Sequence, residues 1–283
     1  MVPAAAQPNA PILALRNILK ILVLVGVLVA GFGAIGWWLG GYRAGAVFLL
    51  VALLTMSTLL YYADRVVIGM VEARELPTTD AGGFAEEVER LGELTGVSSV
   101  RLYLIDDLFP RAFALGGGPG RGAIVVSRGF LGMGSPSQLE GIIAHELAHI
   151  RHRDVLTQSV VVVIAGALLE LSRIGGPFQR ALLFVLAPAA ASITNLMLSP
   201  RRELAADAAA AFACDSTLIV AEGLNQLDRA TEFVDFAANP ATEPLYTTNP
   251  FEPEGIANPF STHPPLETRI EALMALDGRA PPD

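Results

Sequence analysis

The stretch 135-SPSQLEGIIAHELAHIRHR-153 organises the reading of the whole chain. Ser135 suits a helix N-cap, Pro136 the first helical position, and Gln138 can complete a capping box. Leu139, Ile142, Ile143, Leu147 and Ile150 then recur at helical spacing, which predicts a helix ending near His152 and Arg153. Within it His145 and His149 stand at i and i+4, one turn apart on one face, so both imidazoles can reach one metal. Neutral nitrogen ligands suit zinc, and the intervening Glu146 is a candidate base. The sequence has only four histidines, so this pairing is a rare pattern for it. His152 lies too far along the helix to join the same metal and reads as an interfacial side chain.

Immediately after this helix the chain turns apolar, and it does so elsewhere too. The 283 residues are 52% hydrophobic and 17% charged, with a mean hydropathy of +0.49. That charge deficit excludes a disordered chain and an ordinary cytosolic enzyme. The net charge of −9 leaves no polyanion-binding surface, so no nucleic-acid partner is expected. The single cysteine, Cys214, excludes an internal disulfide and reads as a buried apolar residue.

The apolar residues gather in four charge-free runs. Ile21 to Tyr42 and Ala44 to Ala63, about 22 and 20 residues, are each long enough to cross a bilayer. Val155 to Leu169, roughly 15 residues, is short for a span, whereas Ala181 to Pro200, again about 20, is long enough. The last two are expected to form a second hairpin, with a re-entrant or protein-buried pair as the alternative. The first run exceeds a signal peptide's apolar region and is followed at once by another, so it reads as a retained anchor. Arg16, Lys20, Arg65, Arg74, Arg151, Arg153, Arg201 and Arg202 flank the runs on one side, against Arg43, Arg173 and Arg180 on the other. This imbalance puts the termini and both polar segments in the cytosol. The expected organisation is a transmembrane hairpin over 1–63, a first catalytic part over 64–154, a second hairpin over 155–200 and a second catalytic part over 201–283. The two polar parts together have the size of one domain.

Inside the polar parts, Gly82 to Thr95 reads as an amphipathic helix and Val100 to Ile105 as a half-buried strand. Ala112 to Leu115 and Ala123 to Ser127 form a hairpin across a Gly-rich turn, which lacks the GK[ST] of a phosphate loop. Residues 237–262 read as a long irregular loop, and Pro265 to Leu276 as a short helix.

A catalytic zinc needs a third protein ligand and an open position. Glu203 stands out in 199-SPRRELAAD-207, on a helix expected to continue out of the fourth apolar run. Asp207 lies one turn further, where it can hydrogen-bond the free nitrogen of a ligand histidine. On these residues alone, a surface carboxylate pair beside Arg201 and Arg202 is the competing reading.

Residues 145–149 with Glu203 and Asp207, the phrase Ala112-Phe113-Ala114, and 260-FSTHPPLETRI-270 together resemble the HtpX family of membrane-bound zinc metalloproteases. The match runs from about residue 10 to the C-terminus and includes an apolar hairpin between the two ligand motifs. The resemblance implies a mostly α integral membrane protein. It would have four transmembrane helices and an α+β, gluzincin-like cytosolic catalytic domain with a small β-sheet. It implies His145, His149 and Glu203 as ligands of one zinc ion, Glu146 as the base, Asp207 as support for a ligand, and His263 as a transition-state stabiliser. It also implies a multi-pass location in the bacterial inner membrane, where damaged or misfolded membrane proteins are cut. Arg111 stands where the family commonly has Asn, and Pro200 where it has Arg.

The expected chemistry is zinc-dependent peptide hydrolysis. Substrate would lie as an added strand along the edge near Phe113 to Leu115, with Arg111, Phe113 and Ala114 as substrate-binding residues and Arg111 beside His263 at the oxyanion. The partners would be membrane proteins or unfolded polypeptides at the lipid bilayer. The alternatives are a non-catalytic zinc-containing membrane module or holdase, and a prenyl-protein protease of a related branch.

Overall fold

The computed structural model describes residues 10–116, 120–173, 178–231, 240–247 and 262–277. It opens with helix α1 (Ala10–Met70), whose backbone breaks at Gly40 (φ −154°, ψ 24°) and Gly41 (φ 68°, ψ −159°). The second pair of angles lies in the left-handed region that glycine adopts without a Cβ clash. The break folds the two arms face to face. A Cβ placed on Gly36 would lie 2.7 Å from the Cβ of Phe48, and Ile21 and Leu60 meet in one apolar cluster. The first two apolar runs are therefore the arms of a hairpin turning just before Arg43. Leu22, Val27, Trp38, Leu50 and Leu54 stand exposed along it, a surface suited to lipid rather than water.

The chain then forms β1 (Arg74–Glu75), α2 (Thr78–Ala81), α3 (Gly83–Thr95), β2 (Arg101–Ile105), β3 (Ala112–Gly116), β4 (Gly122–Ser127) and α4 (Arg128–Leu131). Next come α5 (Glu140–His152), α6 (Asp154–Arg173), α7 (Gln179–Met197), α8 (Pro200–Ala213), α9 (Thr217–Thr231) and α10 (Leu266–Leu276). The four strands form one sheet in the order β1-β2-β4-β3. β2 and β4 are parallel, while β1 and β3 pair antiparallel to their neighbours. β3 thus closes one edge.

Val100 to Ile105 was expected to be half-buried, but Leu102 to Ile105 are all buried. The reason is that both sheet faces are covered. Leu102, Leu104, Ile124 and Val126 pack with α3, α5, α9 and α10 through Leu91, Ile143, Leu224 and Leu273. Tyr103, Ile105, Phe113 and Val125 pack against Val67 of α1, Val162 of α6 and Tyr246. Residues on either side of the second apolar hairpin therefore share the first of these cores.

Three local expectations change. Ser135 starts a short 3-10 turn, Pro136–Gln138, in which Gln138 Oε1 accepts from the Ser135 N–H at 2.8 Å, and α5 proper opens at Glu140. α8 does not continue α7. Leu198 and Ser199 are extended, Pro200 stands in the first turn of α8, and the Ser199 hydroxyl accepts from the Arg201 N–H at 3.3 Å. Pro200 has no amide hydrogen to donate to a continuing helix, so the chain restarts there. The 237–262 loop lies mostly outside the described residues; its described part is a 3-10 turn, Pro240–Leu245, followed by Tyr246 and Thr247.

Candidate metal centre

The site is built where α5, α6, α8 and α10 converge. α5 is buried along most of its length, because it is wedged between the sheet and α8–α9. A Cβ on Gly141 would lie 2.5 Å from the Ile219 carbonyl oxygen. This close seating leaves His145 and His149 1% and 5% exposed. Their Nε2 atoms stand 3.1 Å apart. Glu203, fully buried on α8, places Oε2 3.4 Å from His145 Nε2 and Oε1 3.5 Å from His149 Nε2. Ligands at zinc bond lengths of about 2.0–2.1 Å stand roughly 3.3 Å apart around a tetrahedral ion, so the three atoms lie at the spacing of a shared cation.

The surrounding hydrogen bonds say the same. His145 Nδ1 lies 2.8 Å from Asp207 Oδ1, and His149 Nδ1 lies 3.0 Å from Asp154 Oδ2. A carboxylate beside each Nδ1 holds the proton there and leaves both Nε2 lone pairs facing one another. Two ring nitrogens at that distance need a shared cation or a proton between them. Neither carboxylate oxygen of Glu203 makes a hydrogen bond among the described residues, although Arg202 Nε approaches Oε1 and His263 Nδ1 approaches Oε2. Burial pulls the His149 pKa down, yet Glu203 and Asp154 prevail and raise it to about 10. Burial likewise pushes Glu203 up, but His263, His149 and Arg202 hold it well below the usual carboxylate range. The donor set fits a metal ion.

Glu146, 3% exposed, follows His145 and accepts a hydrogen bond from the Thr247 hydroxyl at 2.8 Å. The same hydroxyl lies 2.9 Å from the Ala112 carbonyl oxygen. His263 brings Nδ1 to 3.2 Å from Glu203 Oε2, and neither of its ring nitrogens has a hydrogen-bond partner among the described residues.

The three residues named for substrate binding are placed differently from one another. Arg111 ion-pairs with Asp107 and its guanidinium carbon lies 6.0 Å from the Tyr246 ring centroid. Phe113 is fully buried and packs edge-on against Tyr246. Ala114 sits on the edge strand. The Ser127 N–H donates to the Arg111 carbonyl, and pairing alternates along an antiparallel ladder. Hence the backbone groups of Ala112 and Ala114 point away from β4, toward the free edge.

His152 corrects the expectation of an interfacial side chain. It is 1% exposed, and burial pushes its pKa down to about 4. Arg202 was counted as a flanking charge but is buried, with Nε 3.0 Å from Glu203 Oε1, Nη1 donating to Gln158 at 2.9 Å and Nη2 to the Pro244 carbonyl at 3.0 Å. Residues not anticipated from the sequence complete the site. Arg269, 1% exposed, donates to both oxygens of Asp207 at 2.8 and 2.7 Å and to the Thr247 carbonyl at 2.5 Å. Arg269 lies within a quoted motif and could have been singled out. Asp154 carried no such signal, because five helical residues would turn it away from His149. Arg153, at φ 57°, ends α5 in the left-handed region and brings Asp154 back beneath that ring.

The model of Peptidase family M48 matches residues 79–277. A protein described as "Protease HtpX homolog" from Pelotomaculum thermopropionicum is 36% identical over 278 residues, covering 92% of this chain and 99% of that one. Another of that description, from Acidiphilium cryptum, is 35% identical over 274 residues, covering 91% and 96%. Among solved structures, S. mikatae Ste24p resembles this chain with a TM-score of 0.51 at 17% identity, over 92% of this chain and 66% of that one. That last likeness concerns the fold alone. Nearly full-length identity above 30%, together with a buried His-Glu-X-X-His helix and a carboxylate completing its ligand set, places this chain in the HtpX family of membrane metalloproteases, within peptidase family M48.

Proposed function

We propose that this metalloprotease is a zinc endopeptidase that crosses the bacterial inner membrane four times. Its site faces the cytosol, at the bilayer surface, and cuts damaged or misfolded membrane proteins. The observation that carries the reading is the convergence of His145, His149 and Glu203, with Glu146 on the same helix turn. Donor sets of two imidazole nitrogens and one carboxylate, with an open fourth position, favour zinc.

His145, His149 and Glu203 would hold the ion, which when bound supplies Lewis acidity toward water and the scissile carbonyl. Asp207 and Asp154 keep both ligand rings protonated on Nδ1 and aimed inward. Glu146 takes the proton of the attacking water and returns it to the departing amine, as a general base and then acid. His263 donates to the developing oxyanion, a role open to its Nε2, which makes no hydrogen bond among the described residues. A substrate strand would pair with the outward backbone groups of Ala112 and Ala114, a main-chain mode tolerant of sequence. Thr247 must first release the Ala112 carbonyl, which frees Glu146 at the same moment. Proximity to membrane helices supports membrane-protein substrates, and the basic flanks support the cytosolic orientation.

The test is Glu146→Gln in purified full-length protein. Bound zinc, measured by elemental analysis, should remain near one per chain, while cleavage of an unfolded membrane protein falls by ~10²–10⁴-fold. Unchanged cleavage would overturn the mechanism. A prenylated peptide cut in preference to the unfolded protein would redirect the substrate class.

A further inference from the structure

The first membrane hairpin reaches the hydrogen bonds behind the metal centre through Asn17. Asn17, near the start of α1, is 8% exposed and donates through Nδ2 to Asp154 Oδ1 and, at 3.3 Å, to the His152 carbonyl. Both partners are acceptors, so the amide can only turn its nitrogen toward them. Asp154, 4% exposed, divides its oxygens: Oδ1 receives Asn17, and Oδ2 lies 3.0 Å from His149 Nδ1. His149 Nε2 in turn faces His145 Nε2 and Glu203.

We infer that Asn17 is a positioning residue for the metal centre: it fixes the rotation of Asp154, and through it the aim of His149, so the membrane hairpin forms part of the metal site. This rests on the assignment of His149 as a ligand. Without Asn17, Asp154 Oδ1 loses its donor and the carboxylate is free to turn. The α5–α6 corner loses a second tie, because the His152 carbonyl sits on the residue before Arg153. Groups supporting a metal-ligating histidine are typically worth 10–100-fold in metal affinity.

The experiment measures zinc affinity of full-length protein in detergent by competition with a chromophoric chelator, with kcat and KM on one model substrate. Asn17→Leu should weaken zinc binding by about 10-fold or more and lower kcat at nearly constant KM under subsaturating zinc. Asn17→Gln, which keeps both donor hydrogens, should recover most of the affinity. Adding Asn17→Leu to Asp154→Asn should cost little beyond the single change. Lys20→Met is the control for general loosening, since Lys20 ties the same helix to the Met197 carbonyl at 2.8 Å and should leave zinc affinity unchanged. Wild-type affinity in Asn17→Leu, full additivity in the double variant, or an equal loss in Lys20→Met would each overturn the inference. His149→Ala separates this from the ligand assignment: if it keeps tight zinc, the assignment fails; if it loses zinc while Asn17→Leu does not, only the role of Asn17 fails.

Discussion

The two apolar hairpins look alike in composition and behave differently in the fold. Only 11% of the apolar window of α1 is buried inside the protein, against 61% for α6 and 22% for α7. α1 packs on the rest of the chain through Ile21, Leu60 and Val67 and through hydrogen bonds from Asn17 and Lys20, but most of its apolar surface stays uncovered. α6 is instead a wall of the site. Its Val160, Val161 and Val162 are fully buried, and Gln158 and Ser159 are buried beside them. Its partner α7 shields part of it through Ala190 and Ala191. The shortness of the third run thus has a physical cause: a helix sheathed largely by protein need not present a full bilayer's length of apolar surface to lipid.

The contrast can be broken most strongly at the polar face of α6. Arg202→Met would leave the Gln158 side-chain oxygen without its donor, take one of two donors from the Pro244 carbonyl and leave the Glu203 charge less compensated. Breaking such a buried pair costs about 3–5 kcal/mol, read as a large fall in the thermal midpoint of purified protein. A small change there would mean that this wall is looser than its hydrogen bonds show.

The junction of α5, α6 and α1 gives the next effect. His152 has a folded pKa near 4, below the ordinary value of about 6.5. Above pH 6.5 both states are neutral and stability is complete. As pH falls toward 4, the unfolded chain takes a proton that the folded one refuses, so stability drops by about 1.4 kcal/mol per unit. Metal-free His152→Gln should lose less stability than the metal-free parent between pH 7 and 5; parallel losses would refute the buried neutral ring.

The smallest effects set the baseline. Val162→Ala removes two buried methyl groups and should cost roughly 1.5 kcal/mol. Val27→Ala, at a position 65% exposed, should stay within about 0.5 kcal/mol. Equal costs in detergent unfolding would erase the distinction between the hairpins.

Much of the site was legible because its key spacing is helical. His145, Glu146 and His149 share one helix, and Glu203 and Asp207 share another, so periodicity alone put each pair on one face. The hairpin at Ala112–Ser127 followed from apolar runs around glycines. Illegible were the contacts that depend on chain direction. Asp154 serves His149 only because Arg153 adopts a positive φ, and Asn17 serves Asp154 across 137 residues. His152 and Arg202 look like ordinary boundary charges in the sequence; their burial comes from neighbours distant along the chain. The covered sheet was equally hidden, since strand alternation does not announce a second layer on the far face.

By itself, then, the sequence determined the local geometry: which residues stack on a helix face, which stretches favour lipid and which side chains have metal-ligand chemistry. The tertiary structure decided which of those faces meet. It brought Glu203 against two histidines, set Thr247 on Glu146, and tied α1 through Asp154 to the His149 ring. The reason is physical. Periodicity is carried by bonds between neighbours, whereas convergence is carried by the packing of surfaces whose partners are specified only when the whole chain is folded.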